Sequence, residues 1–286
     1  MVVDRRTRRR NRRSIGELDS PSRTRLRGLL DRSRLVVEPT SEIISLVESR
    51  IPPGAVGLAV ACTDGLGVDQ TIAVSEVLAS RGHQVTAHLA ARQIRTRRHL
   101  DETLQRLARR AITRILVVRG RTETSGAFET AGELLDAIHS HRDAPSEIGI
   151  VGHPGGIADI DRERLARRLL ALATHATYVS TAATTPSPEQ LLRWLAEMRV
   201  RGLELPVEAG VPSVFSRAGL VGERGSSRRS SAEWHDPTRF VAALAAQPVL
   251  DRLEVVGLRL ETANEIERTA AWRQETYGLA HQVRTN

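Results

Sequence analysis

The stretch RILVVRG, residues 114–120, decides how the chain is read. Its apolar run, Ile115 to Val118, is short, continuous and mostly β-branched, and it stops at Arg119, Gly120 and Arg121. A run of that kind reads as a strand buried on both faces. Just before it, Leu100, Leu104, Leu107 and Ala111 recur at spacings of four, three and four, which is one face of a helix. Working outward, the same pair recurs along the chain. Apolar runs lie at 34–38, 56–62, 84–90, 114–120, 147–152, 176–182, 202–210 and 252–259. Amphipathic patterns follow them at 41–50, 70–81, 98–110, 129–141, 161–174, 188–200, 237–246 and 262–277.

Eight strand–helix units in about 250 residues predict an α/β protein of the (β/α)8 barrel type. Doubly wound open sheets carry fewer units, and no GxGxxG opens the first helix. The seventh unit is interrupted by a long polar insert at 222–234. The predicted organisation is a disordered basic tail over 1–34 and one barrel domain over 35–286.

Charge follows the same division. Arginines 5, 6, 8, 9, 10, 12, 13, 23, 25, 27, 32 and 34 face only Asp4, Glu17, Asp19 and Asp31; twelve less four is +8, the net charge of the whole chain. The body is therefore neutral on balance. A basic arm can hold nucleic acid through phosphates, but no aromatic residue interleaves these arginines for stacking, so nucleic acid is expected only through the tail, if at all. The chain contains no lysine, which excludes a lysine Schiff base and a Walker phosphate loop. The lone cysteine, Cys62, excludes an intrachain disulfide framework and points to the cytoplasm. No apolar run is long enough to cross a membrane.

A barrel carries its site at the C-terminal ends of its strands. Those ends hold Glu38, Cys62 to Asp64, His88, Arg119 to Arg121, His153, Ser180 to Thr184, Glu208 to Pro212, and Arg259 to Glu261. Glu38 reads either as an acid with a raised pKa at a partly apolar mouth or as a solvated carboxylate at a helix start. His88 faces the barrel interior or the helices, depending on register. No second histidine or carboxylate stands at metal-ligand spacing from it, so no metal site is expected. Arg119 and Arg121 fall on opposite faces, and Gly120 between them lets a ligand or a neighbouring backbone approach. The segment GIVGHPGGI at 149–157 is a strand ending in a glycine-rich turn, able to cradle a phosphate or simply to make a tight loop.

Taken in order, VVEP, TAHLAAR, ILVVRG, FETAGELL, IGIVGHP, ATYVSTA and ELPVEAGVPSVF make the chain resemble the methylenetetrahydrofolate reductase family across most of residues 34–277. The resemblance implies a cytoplasmic oxidoreductase of one-carbon metabolism. It would pass hydride from NADH or NADPH, through FAD, to a methylene-folate. Glu38 matches the family's acid. His88, Arg119, Gly120 and Ala131 match flavin-contacting positions, with His153 and Arg167 as further cofactor-side candidates. Arg121, Thr181 and Phe215 fall at folate-side positions. Several of these depart from the family pattern: Arg121 stands for an aspartate, Thr130 for a tyrosine, His153–Pro154–Gly155 for tyrosine–proline–glutamate, Ile157 for a histidine and Thr181 for a glutamine. A helix-five lysine has no counterpart, and Arg167 or Arg168 would have to replace it. These departures leave a second expectation, a non-catalytic relative that binds a pterin, a flavin or another anionic small molecule. A homo-oligomer is compatible with either.

Overall fold

The computed structural model describes residues 12–184, 187–213 and 237–282. Phe215 and the insert at 222–234 lie outside the described residues. In chain order the elements are α1 (Ser20–Asp31), β1 (Arg34–Val37), α2 (Ile43–Arg50), β2 (Gly57–Val60), α3 (Gly67–Ser80), β3 (Val85–Ala90), α4 (Arg97–Arg109) and β4 (Arg114–Val118). They continue with α5 (Ala131–His139), β5 (Glu147–Gly152), α6 (Arg162–Ala173), β6 (Tyr178–Thr181), α7 (Pro188–Val200), β7 (Val207–Val211), α8 (Pro237–Ala245), β8 (Val255–Glu261) and α9 (Ile266–His281). Each strand pairs in parallel with the next, and β8 closes on β1 through Arg34↔Arg259. The chain is therefore a closed eight-stranded α/β barrel, as the alternation of its sequence predicts.

The main core lies between strands and helices. Val85, Ala87 and Leu89 of β3 join Ile72, Leu78 and Leu104 in one apolar cluster. Alternation then turns Thr86, His88 and Ala90 toward the barrel axis, which settles the open question of His88. Elsewhere Leu35 and Val37, Ile115 and Val117, and Leu258 and Leu260 also belong to the outer cluster. Arg34 and Val36, Arg114 and Leu116, and Arg259 and Glu261 accordingly point inward.

The expected tail needs correcting. Residues 20–31, assigned to an irregular basic arm, form α1. Asp19 caps it by accepting the Ser22 N–H at 2.9 Å, and a proline sits in the first turn. Leu26, Leu29 and Leu30 are buried, and the helix packs on β8, α8 and α9. Its arginines are partly tethered: Arg25 donates to the Ala245 carbonyl at 2.8 Å, and Arg32 donates to that of Val256. Charge density hid an i, i+3, i+4 leucine stripe. The last two strands also start later than their apolar runs suggest. A bulge at Val207/Glu208 accompanies their pairing. Among the described residues no helix is long and apolar enough to cross a membrane.

Candidate functional site

Tracing the register round the barrel sorts the inward side chains into levels. From the N-terminal end upward come Arg114 and Tyr178; then Arg34, Thr86 and Glu208; then Ala59, Leu116, Ser180 and Arg259; then Val36 and His88. Glu261 stands above Arg259, and Glu38 continues β1 at the rim.

The lowest levels form an ionic floor. One oxygen of the buried Glu208 accepts from Arg34 Nε at 3.2 Å and from Arg114 Nη2 at 2.8 Å. Arg114 also pairs with Glu147 and stacks on the Tyr178 ring, 3.7 Å from its centroid. The Tyr178 hydroxyl donates to the Ile115 carbonyl at 2.8 Å, and burial raises its pKa above the ordinary phenol range. Its ring fills the place of a missing side chain: a Cβ on Gly149 would stand 2.2 Å from the ring.

Above this floor the polar chemistry is left open. Thr86 Oγ1, Ser180 Oγ, His88 Nε2, Arg259 Nε and, at the floor itself, Arg114 Nε are buried without a hydrogen-bond partner. Buried polar atoms are nearly always satisfied by protein or by solvent. All five of these belong to inward-facing side chains. Exposure falls with depth: His88 keeps 6% of its surface and Val36 5%, whereas Thr86 keeps 2% and Ser180 1%.

Arg259 is held on two sides. Its Nη1 lies 2.8 Å from Glu261 Oε1, and its Nη2 donates to the Thr181 carbonyl at 3.2 Å. Thr181 Oγ1 in turn accepts the Gly210 N–H at 2.8 Å. A Cβ on Gly210 would lie 2.1 Å from the Thr181 carbonyl oxygen, so glycine is what lets the end of β6 lean over β7. Burial, and secondarily the Arg259 charge, push the His88 pKa down to about 3. The imidazole is therefore neutral at ordinary pH, with one nitrogen able to donate and the other to accept.

The predicted site residues do not gather as expected. Glu38 is exposed at the rim; its N–H donates to Asn264 Oδ1 at 2.8 Å, and its carbonyl accepts from Asn264 Nδ2 at 3.3 Å. Arg119 falls on the outward face and pairs with Glu129 at 3.3 Å, so Glu38, His88 and Arg119 share no cavity. Gly120 adopts φ +82°, and a Cβ there would stand 3.2 Å from that of Ala90. Arg121 is exposed and makes no ion pair with a described residue. Ala131 opens α5 behind the capping Thr130, whose hydroxyl accepts the Glu133 N–H at 3.2 Å. His153 is half-buried in the loop after β5, and Arg167 is on the exposed side of α6, 3.9 Å from Glu163. Thr181 is buried and serves Gly210 and Arg259. The sequence placed Ser180, Arg259 and Glu261 on the right face without a role and missed Thr86, Arg34 and Arg114. The available signal was a charged residue opening an otherwise apolar run, as in RLVV and RILVV.

A separate rim hollow of about 460 Å³ is lined in part by Asp64, Gly67, Asp69, Gln93 and Arg95. Its polar groups largely satisfy one another. Asp69 accepts from Arg95 and lies 2.9 Å from His99 Nε2, while Gln93 Nε2 donates to Asp64 at 3.1 Å. The Cys62 thiol donates to Gln93 at 3.0 Å, and burial raises its pKa to about 11. Among the described residues no group of three or more histidine, cysteine or acidic side chains could hold a metal ion.

No protein-family model and no curated protein matches the chain. Solved structures do. An apo-form protein from Toxoplasma gondii ME49, provisionally described as a deoxyribose-phosphate aldolase, is 10% identical with a TM-score of 0.51, covering 89% of this chain and 97% of its own. Phosphonopyruvate hydrolase is 13% identical with a TM-score of 0.48, covering 88% and 84%. A 2,3-dimethylmalate lyase of the PEP mutase/isocitrate lyase superfamily is 14% identical with a TM-score of 0.48, covering 92% and 88%. At such identities the likeness concerns the fold alone.

These comparisons correct the folate-reductase resemblance. No family model and no curated protein supports the reductase pattern, and the three residues that were to share its site, Glu38, His88 and Arg119, lie apart. The physical reason is plain in the fold: the matched pieces are strand ends, where any such barrel places a β-branched run before a glycine, proline or polar turn. The assignments of FAD, NADH or NADPH and a methylene-folate fall with it, as do the flavin and folate roles of the residues above.

Proposed function

We propose that the chain is an enzyme that holds a small carboxylic acid in the barrel mouth and moves a proton on the carbon beside its carbonyl, the first step of a lyase- or isomerase-type reaction. One observation carries the reading: His88 Nε2 and Arg259 Nε are unpartnered at adjacent buried levels, with Glu261 2.8 Å from the same guanidinium.

Each group has a task its chemistry suits. Glu261 takes the proton; the electrons of the broken C–H bond pass to the carbonyl oxygen, giving an enolate. Neutral His88 donates a hydrogen bond to that oxygen, and Arg259 supplies the opposing charge in a poorly hydrated space. With no lysine in the chain, an iminium on a lysine amine cannot take the electrons instead. Returning the proton gives exchange or isomerisation, and breaking the next C–C bond gives cleavage. The test is proton exchange in D2O with pyruvate and a panel of short 2-oxo acids, followed by NMR. Wild-type protein should exchange protons next to the carbonyl, and R259A and E261Q should not. No exchange with any acid, on protein of native circular dichroism, overturns the reading.

A further inference from the structure

We infer that the part of the substrate beyond its carbonyl is a short alkyl group, so the mouth takes 2-oxo acids with one carboxylate and discriminates against those carrying a second at the far end. This rests on the reading above and names the substrate class of the same site.

The register carries the argument. Val36, His88, Val151 and Gly210 share one level, and Ala61, Val118, Ala182 and Glu261 share the next one up. Val60, Val117, Ile150 and Val179 belong to the outer cluster, so alternation turns Ala61, Val118, Val151 and Ala182 to the axis. The ladder reaches past the strand ends to the two alanines: the Ala61 N–H donates to the Val37 carbonyl and the Ala182 N–H to that of Gly152, each at 2.8 Å. Exposure follows the levels. Ala59, Leu116 and Ser180 are buried, whereas Val151, Ala61, Val118 and Ala182 are partly exposed. The open space therefore begins at His88 and lies above it.

Adjacent levels stand roughly 3 Å apart, half the two-residue repeat of a strand and less along a tilted one. A carbonyl held at His88 thus sets the neighbouring carbon beside Glu261, which is to take its proton. Val118 is on β4, four strands from β8 either way round, so it lies opposite Glu261, with Ala61 and Ala182 on the flanks. The rest of the chain meets aliphatic groups on three sides.

Charge argues the same way. Among the described residues of these two levels Glu261 is the one charged side chain, and Arg259, reaching it from the level below, is a single cation already shared with it. The substrate's own carboxylate uses what remains. A second carboxylate would lie against a valine and two alanines without a counter-charge, whereas a methyl group there gains by burial.

The probes are 2-oxopentanoate and 2-oxoglutarate, which share a five-carbon backbone and differ only at its far end. Calorimetric titration of the full-length protein should show 2-oxopentanoate binding roughly tenfold or more tightly. V118R, which sets a cation opposite Glu261, should reverse that order. If V118R does not fold, V118A replaces it and should weaken 2-oxopentanoate roughly threefold to tenfold through lost apolar contact. Equal binding of the two acids, or unchanged binding in a folded V118R or V118A, overturns the alkyl wall; proton exchange of both acids would still keep the enolate chemistry. Preferential binding of 2-oxopentanoate with no exchange keeps the wall and overturns the chemistry. Binding of neither acid overturns both.

Discussion

Arg259 reaches across the barrel mouth to the carbonyl of Thr181, 3.2 Å away, and that carbonyl is there because Gly210 has no side chain. The guanidinium is thus aimed by a neighbour's backbone, on a strand whose end is bent inward.

Gly210→Ala should disturb this arrangement first. The added methyl must push back the Thr181 carbonyl, at a cost of about 1–3 kcal/mol, the usual price of overfilling a packed site. Urea denaturation reads that loss. Proton exchange should fall further than stability alone explains, because Arg259 loses one of its two anchors. Thr181→Val, which removes the hydroxyl that accepts the Gly210 N–H and keeps the carbonyl, should be the milder change.

Glu208→Ala should destabilise the barrel more than any surface substitution. It leaves Arg34 and Arg114 facing each other without the carboxylate that joins them. Removing one partner of a buried ion network costs about 3–5 kcal/mol. Thermal unfolding should show the drop, and a melting temperature equal to the wild type would contradict the floor as described.

His88 predicts an acid limit to stability. Its folded pKa, about 3, lies below the ordinary histidine value. The unfolded chain therefore binds the proton first as pH falls. The stabilisation is complete above about pH 6.5 and is lost progressively from there down toward pH 3, with a slope of at most about 1.4 kcal/mol per pH unit. Carboxylates titrate in the lower part of this window, so the comparison is with His88→Gln, whose stability should fall less steeply between pH 6.5 and 5. Parallel curves would remove His88 as the cause.

The helix before the first strand should behave as part of the barrel. Leu29→Ala should cost about 2–5 kcal/mol by creating a cavity against β8 and α9. Deleting residues 1–33 should abolish the cooperative melt, whereas an accessory arm could be removed without effect.

How much of this was legible in the sequence depends on which force set each feature. Strand and helix periodicities are local, so the eight units and their order could be read from runs such as RILVVRG. The inward and outward faces could not. They depend on register, which for His88 is fixed only when Val85, Ala87 and Leu89 meet Ile72 and Leu78 of α3. Arg119 shows the same limit: one residue's difference in alternation sent it outside to Glu129. The floor joins Arg34, Arg114 and Glu208 from three distant strands, and no spacing rule connects them. The α1 helix was readable from Leu26, Leu29 and Leu30, but the dense arginines around them suggested a solvated arm. Gly210 and Thr181 acquire their role only when two strand ends cross.

The salt-bridged floor also bears on traffic. With Tyr178, Arg114, Arg34 and Glu208 filling one end of the cylinder, any molecule held by the inward side chains has a single doorway, at the C-terminal ends of the strands. Product and reactant would compete for the same passage.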